Sequence, residues 1–328
     1  MQFHRRTFLR LAAGACTLPA LARTHAARAQ EYPARPVRII THSAPGGSPD
    51  ALLRIVGDRL TQKWGQQVVV LNQPGAGGAV AARAAAAAAP DGYTLYMPAS
   101  SAFVALPGQQ ANLPLELPRD FLPVGFIALQ PFLLSVASSL GAKTLPEFIA
   151  LAKQKPGELS YAATGRGTLS HLGGEALQQR AGIKLVMVPY LGGTSQALND
   201  VISGRVPMVI DAYPPVAGAL QAGSIRALAV GSAKRLPDFP NLPTTGEILP
   251  GLSINGWLAL VAPVGTPDEI VRKLSDDLRE AVLDPPTRTR LETTGNYPNP
   301  MSPSELMSFI QSEQRTWKPV VDQIARNP

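Results

Sequence analysis

Four glycine-rich segments limit this chain's fold more than any other feature. They are Ser43-Ala44-Pro45-Gly46-Gly47-Ser48-Pro49-Asp50, Asn72-Gln73-Pro74-Gly75-Ala76-Gly77-Gly78, Thr164-Gly165-Arg166-Gly167-Thr168-Leu169-Ser170-His171 and Tyr190-Leu191-Gly192-Gly193-Thr194-Ser195. Each lies between a short β-branched run and an amphipathic stretch, where a strand ends and a helix begins. Open α/β sheets bind ligands at the carboxyl ends of their strands. The free N–H groups and dipole of a helix start favour an anion there. Glycine lets the backbone approach closely and take positive φ. A carboxylate can therefore be held with few side-chain charges. One such turn is ordinary chain punctuation; four in one chain imply a site. None is a nucleotide loop, because Gly-x-x-x-x-Gly-Lys-Ser/Thr is absent and Gly75-Ala76-Gly77 lacks dinucleotide spacing.

The segments between these turns alternate strand and helix. Val37–Thr41, Val68–Leu71 and Thr94–Met97 read as strands, with helices predicted over Pro49–Lys63 and, in almost pure alanine, Gly77–Ala89. Such a βαβαβ opening predicts a parallel sheet with right-handed crossovers. A second set of strands and helices runs from Phe132 to Val230 and has its own turns, so it is expected to be a second domain. Its strands are placed at Phe132–Val136, Leu159–Ala162, Leu185–Val188, Pro207–Ile210 and Ala227–Val230. The end of the chain offers one strand, Trp257–Ala262, and then only helices over Pro267–Val282, Thr287–Thr294 and Ser302–Ala325. One strand cannot found a third core. The expected organisation is a first lobe of residues 30–128 and 256–328 and a second lobe of residues 129–255. The chain crosses between them near 124–132 and 250–260. At 328 residues it has the length for two such domains.

The net charge of +7 suggests nucleic acid until it is located. Residues 1–29 hold five arginines and no acid, and without them the charge is +2. No Lys/Arg cluster remains, which argues against a nucleic-acid partner. The same segment reads as an export signal: Arg5-Arg6, a short apolar run, then Ala27-Arg28-Ala29 before the expected cut. Arg5-Arg6-Thr7-Phe8-Leu9-Arg10 resembles a twin-arginine signal, with an ordinary secretion signal as the alternative. The run is broken by Gly14 and Pro19 and is too short for a membrane span. The single cysteine, Cys16, lies inside it, so the mature chain is expected to hold no disulfide, no thiol nucleophile and no cysteine metal site.

Candidates for catalysis are few. His42 and His171 are the only histidines after residue 29, and they do not have metal-ligand spacing. Ser170 and His171 are adjacent, so they face apart on a helix and make no nucleophile–base pair. Asp50 is either a base or a clamp at a helix start. Asp211, at a strand end beside Tyr213-Pro214-Pro215, is either a ligand contact or an Asx-turn residue. Arg166 is placed to pair with a carboxylate or to stay in solvent. No cofactor and no metal are expected.

Taken in order along the chain, these residues resemble the Bug family, the extracytoplasmic solute receptors of tripartite tricarboxylate transporters. Pro45-Gly46-Gly47-Ser48-Pro49-Asp50, Asn72-Gln73-Pro74-Gly75-Ala76-Gly77-Gly78 and Pro90-Asp91-Gly92-Tyr93-Thr94-Leu95 carry the resemblance in the first third. His171-Leu172-Gly173-Gly174-Glu175, Val188-Pro189-Tyr190, Gly204-Arg205-Val206, Leu242-Pro243-Thr244-Thr245-Gly246-Glu247 and Ala262-Pro263-Val264-Gly265-Thr266-Pro267 carry it onward. The resemblance implies a two-lobed type II periplasmic binding fold, each lobe a mostly parallel sheet flanked by helices. It implies a periplasmic, monomeric, non-enzymatic receptor that closes on a small carboxylate, a di- or tricarboxylate first, and meets the membrane subunits of a transporter. The ligand residues it implies are Ser43, Ala44, Gly46, Gly47 and Asp50 from one lobe. From the other come Thr164, Gly165, Gly167, Thr168 and His171, with Ala76, Gly77, Ser100, Tyr190 and Asp211 completing the cleft. Arg166 would add a cation for a second carboxylate. Pro49, Arg166 and His42 depart from the usual pattern and bear on ligand identity. A ligand-presenting sensor partner, or an exported lyase or isomerase on the same scaffold, are the alternatives.

Overall fold

A computed structural model of the chain describes residues 32–105, 113 and 115–326. The expected export signal and Cys16 lie outside the described residues. The first run of elements forms as its apolar pattern requires. Strands β1 (Val37–Thr41), β2 (Val68–Asn72) and β3 (Thr94–Met97) pair in parallel with β1 in the middle. The helix Ser48–Trp64 connects β1 to β2 and buries Leu52, Leu53, Val56 and Leu60. Pro49 suits its first turn, where no N–H partner is needed, and Gly65 ends it in the left-handed conformation. The alanine helix is shorter than expected, Ala79–Ala86, and follows a 3₁₀ turn at Ala76–Gly78. The cause is local: Gly75, Ala76 and Gly78 all take positive φ, which an α-helix cannot pass through. Ala81, Ala82 and Ala85 are fully buried, so small side chains let this helix sit close on the sheet.

Strand β4 runs from Phe121 to Ala137 and decides the architecture. Its first part, Phe121–Pro131, pairs antiparallel with β9 (Asn255–Pro263). Its last part, Phe132–Ala137, pairs antiparallel with β7 (Met208–Ala212) and β8 (Ile225–Val230). One strand thus belongs to two sheets. The first sheet runs β2-β1-β3-β9-β4, with the two-residue β10 (Tyr297–Pro298) also on β4. The second extends from β4 through β7 to β5 (Ser160–Ala163) and β6 (Val186–Pro189), the last three parallel. The result is the two-lobed α/β fold, with mixed sheets. Each keeps its parallel βαβ part and adds an antiparallel seam along β4 and β9. The sequence hides the first half of β4 because Pro123, Gly125 and Pro131 read as breakers. In the structure the pairing register shifts at Pro123/Gly125, which is where a strand tolerates such residues.

Three backbone hydrogen bonds tie the two crossings together. Phe132 N–H donates to the Ile254 carbonyl (3.1 Å), Gly231 N–H to Phe132 (2.8 Å) and Ile254 N–H to Gly231 (3.0 Å). The last helix, Pro303–Arg326, starts at a capping box: Glu305 N–H donates to Ser302 Oγ (3.3 Å) and Ser302 N–H to Glu305 Oε2 (2.8 Å). It closes the core over Trp257, whose ring stacks on Phe103 and meets Phe309 edge-on.

Candidate functional site

The carboxyl ends of β1, β2 and β3 face those of β5, β6 and β7 across a cavity of about 660 Å³. The first lobe contributes three turns and the start of the short helix Ser100–Val104. The second contributes Thr164, Thr168, Gly193 and Thr194 from its glycine turns and Asp211 and Ala212 from the end of β7. Gln130, Phe132 and Gly256–Leu258 on the crossing strands complete the wall.

The turns are held rigid from behind. Asp50 accepts the Gly46 N–H (2.8 Å), Arg54 Nε (3.0 Å) and Asn72 Nδ2 (2.8 Å), and Asn72 Nδ2 also reaches the Ser43 carbonyl at 2.9 Å. Burial pushes the Asp50 carboxyl up, but Arg54, Asn72 and the Gly46 amide outweigh it and keep it below its ordinary range. In the third turn Gly167 N–H donates to His171 Nδ1 at 3.0 Å. Gly167 has φ +74, which fits glycine and points its N–H at the imidazole. Thr168 Oγ1 donates to the Gly165 carbonyl (2.7 Å), and Ser170 Oγ accepts the Thr164 N–H (3.0 Å).

A family model described as tripartite tricarboxylate transporter family receptor matches residues 52–326. The chain belongs to that family. A UPF0065 protein of Bordetella bronchiseptica is 36% identical over 270 residues, covering 82% of this chain and 80% of that one. BugT of Bordetella pertussis is 34% identical over 295 residues, covering 89% and 90%. Among solved structures, an R. palustris protein with adipate superposes with TM-score 0.81 at 33% identity, covering 89% of this chain and 97% of that one. MatC from Rhodopseudomonas palustris with bound malate superposes with TM-score 0.78 at 31% identity, covering 88% and 100%.

Within this receptor the residues singled out in the sequence divide into two groups. Ser43, Ala44, Gly47, Ala76, Ser100, Thr164, Thr168 and Asp211 line the cavity, as do His42 and Pro49. Gly46, Asp50, Gly165, Arg166, Gly167, His171 and Tyr190 do not. Gly46, Asp50, Gly167 and His171 are joined in the bonds just described, and Gly77 lies inside the 3₁₀ turn. The Tyr190 hydroxyl donates to Asp200 at 2.7 Å, which with burial raises it to about 12. Arg166 is exposed. Sequence reasoning missed Gln130, Phe132 and Trp257, which reach the cavity only because β4 and β9 cross it. Gln130 was the one polar residue in the run Gly125–Phe132, and that was its signal. Its Nε2 donates to Ser48 Oγ (2.7 Å) and Asn296 Oδ1 (3.0 Å). Ala76 holds φ +47, a conformation uncommon outside glycine, at the cavity surface.

Among the described residues, two ionisable groups line the cavity. Burial lowers His42 from 6.5 to about 4, so its imidazole is neutral at pH 7. Burial raises Asp211 from 3.8 to about 6, against the Thr194 hydroxyl and the Ala212 N–H that it accepts. His171, behind the wall, is also lowered to about 4 by burial and by Arg166. These shifts set a pH dependence of stability. Between pH 6.5 and 4 the unfolded chain protonates both histidines while the native chain does not, so stability falls as pH drops through that window. Asp211 acts oppositely: between pH 6 and 3.8 the native chain holds the proton that the unfolded chain has lost. Two histidines outweigh one aspartate, and a net loss of about 3 kcal/mol is expected on going from pH 7 to pH 4.5. Urea denaturation at the two values measures it; equal midpoints would contradict the assignment.

Proposed function

We propose that this chain is a periplasmic receptor that captures a small organic acid between its two lobes and delivers it to the membrane subunits of a tripartite tricarboxylate-type transporter. The observation that carries the reading is the cavity itself. Backbone turns from both lobes, each opening a helix, converge on one space. In this reading Ser43, Ala44, Gly47, Ala76 and Ser100 from one lobe and Thr164, Thr168 and Asp211 from the other touch the ligand. Gly46, Asp50, Gly77, Gly165, Gly167, His171 and Tyr190 hold the turns that do so. The second lobe is residues 129–255, and the partner change of β4 between Pro131 and Phe132 supports that boundary. Export by the arginine-rich signal, with cleavage after Ala29, brings the chain to the periplasm. Adipate and malate in the two R. palustris relatives support an acid as the ligand class. Contacts from both lobes stabilise the closed form, and no chemistry follows.

A thermal-shift screen of the purified protein against organic acids tests this. A ligand at one hundred times its Kd stabilises the native state by about 2.7 kcal/mol, which for a chain of this size raises Tm by about 5 °C. At least one carboxylate is expected to do so. If none does, and a neutral or cationic solute does, the proposed function is wrong.

A further inference from the structure

We infer that Gln130 and Asn296 are positioning residues: together they force the Ser48 hydroxyl to donate into the cavity, so that this point of the wall receives an acceptor such as a ligand carboxylate oxygen. The inference rests on the carboxylate reading above and adds residues that act on the same site from behind it.

The polarity is set in the turn after the helix Pro285–Thr293. Asn296 is buried there, 1% exposed. Its Nδ2 lies 2.9 Å from the Thr294 carbonyl oxygen and 3.0 Å from Thr294 Oγ1. A carbonyl only accepts, so the group that faces it is the amide nitrogen. Thr294 Oγ1 gives its own proton to the Leu291 carbonyl at 2.8 Å, so it too accepts from Asn296. Asn296 therefore turns Oδ1 toward Gln130. That oxygen needs a donor, and the Gln130 amide nitrogen supplies it at 3.0 Å. The same nitrogen lies 2.7 Å from Ser48 Oγ, and an NH2 group only donates. Ser48 must accept from Gln130, and its own proton points elsewhere.

The arrangement cannot invert. Were the Gln130 amide turned over, its oxygen would take the Ser48 proton and would also face Asn296 Oδ1, two acceptors opposed in a buried place. Nor can the turn move aside. Asn296 N–H donates to the Leu291 carbonyl at 3.0 Å, and Tyr297 pairs with Leu129 on β4 while its hydroxyl donates to Asp238 at 2.8 Å.

The Ser48 proton has one place left to go. Among the described residues Ser48 Oγ has no acceptor for it, and Ser48 lines the cavity. Pro49 gives that donor its importance. Ser48 and Pro49 are the first two residues of the helix that opens on the cavity, and Pro49 carries no N–H. This helix start lacks one of the donors it would otherwise offer an anion, and the Ser48 hydroxyl stands in for it.

Isothermal titration at pH 7.5 tests this with a double-mutant cycle. Adipate, malate, succinate, citrate and glutamate are titrated against the parent protein, and the tightest of the five is the probe. Ser48→Ala is expected to weaken it at least fivefold. Gln130→Met, close in size but without the amide, is expected to weaken it at least fivefold in the parent and less than twofold in the Ser48→Ala background, because Gln130 acts through that hydroxyl. Asn296→Ala leaves Gln130 in place but free to turn over. It is expected to follow the same pattern, and it supplies the cycle by a second route should Gln130→Met not fold. A loss below fivefold in Ser48→Ala would overturn the inference. Losses from Gln130→Met and Asn296→Ala that persist undiminished without the Ser48 hydroxyl would also overturn it, since both residues would then only brace the crossing strand. Either result leaves the carboxylate receptor standing. If none of the five acids binds the parent, the carboxylate reading itself falls, and the inference with it.

Discussion

Gly231→Ala is expected to destabilise the fold by about 3–5 kcal/mol, near the upper end for a single substitution. A Cβ there would lie 2.1 Å from the Ile254 carbonyl oxygen, 2.7 Å from its carbon and 2.9 Å from its Cα. These are backbone atoms, and no rotamer change relieves them. The methyl can be fitted only by pushing apart the two crossings, which breaks the bonds from Gly231 N–H to Phe132 and from Ile254 N–H to Gly231. Each bond lost inside the protein costs about 1 kcal/mol or more, and the overlap adds to it. Thermal denaturation should show a fall in Tm of about 6–9 °C. Gly218→Ala is the control. Gly218 lies inside the helix Tyr213–Gln221, has nothing within 4 Å of a built Cβ and does not take positive φ, so alanine there is expected to be neutral or stabilising by about 0.5–1 kcal/mol. Similar losses at both positions would mean that the crossing is not the tight joint described.

The parts of this fold that the sequence makes legible are those fixed by local physics. The β1–β3 unit follows from its apolar runs and from Pro49 and Gly65 at the ends of one helix. The capping residues Ser302 and Glu305 start the last helix as their spacing requires. What stayed hidden depends on distant pairing. Phe121–Pro131 contains two prolines and a glycine, yet it is a strand because β9 supplies its partner and the register shifts absorb the misfits. The short helix Thr245–Ile248 has a full capping box at Thr244 and Glu247, but four residues give no periodicity to read. The site divides in the same way. Glycine turns are visible because glycine is rare where no turn needs it. The distinction between a residue that touches a ligand and one that holds the turn is not visible. Asp50 and Asp211 look alike in sequence; Arg54 and Asn72 beside one, and only neutral donors beside the other, separate them.

Gly47→Val is expected to weaken ligand capture by at least a hundredfold, equivalent to about 2.7 kcal/mol, while costing the fold only about 1–2 kcal/mol. Gly47 has φ −68, so a side chain there meets no backbone strain. What it meets is the first turn: its Cβ would lie 2.6 Å from Ser43 Oγ and 3.2 Å from the Ala44 carbonyl. Ser43 must move, and the branched methyls take cavity space in front of the Ser48–Trp64 helix start. The neighbouring Gly46→Ala provides the opposite case. Gly46 takes φ +79, has nothing within 4 Å of a built Cβ and stands off the cavity wall. Alanine there should cost about 1 kcal/mol of strain and less than a tenfold change in affinity. Titration of both variants with whichever acid raises the parent's Tm separates the two effects of glycine in this turn. If the space at Gly47 makes the anion site, only Gly47→Val loses the ligand. If Gly46→Ala loses it equally, the turn works through its backbone conformation, and Asp50, which holds the Gly46 N–H, becomes the residue that sets affinity.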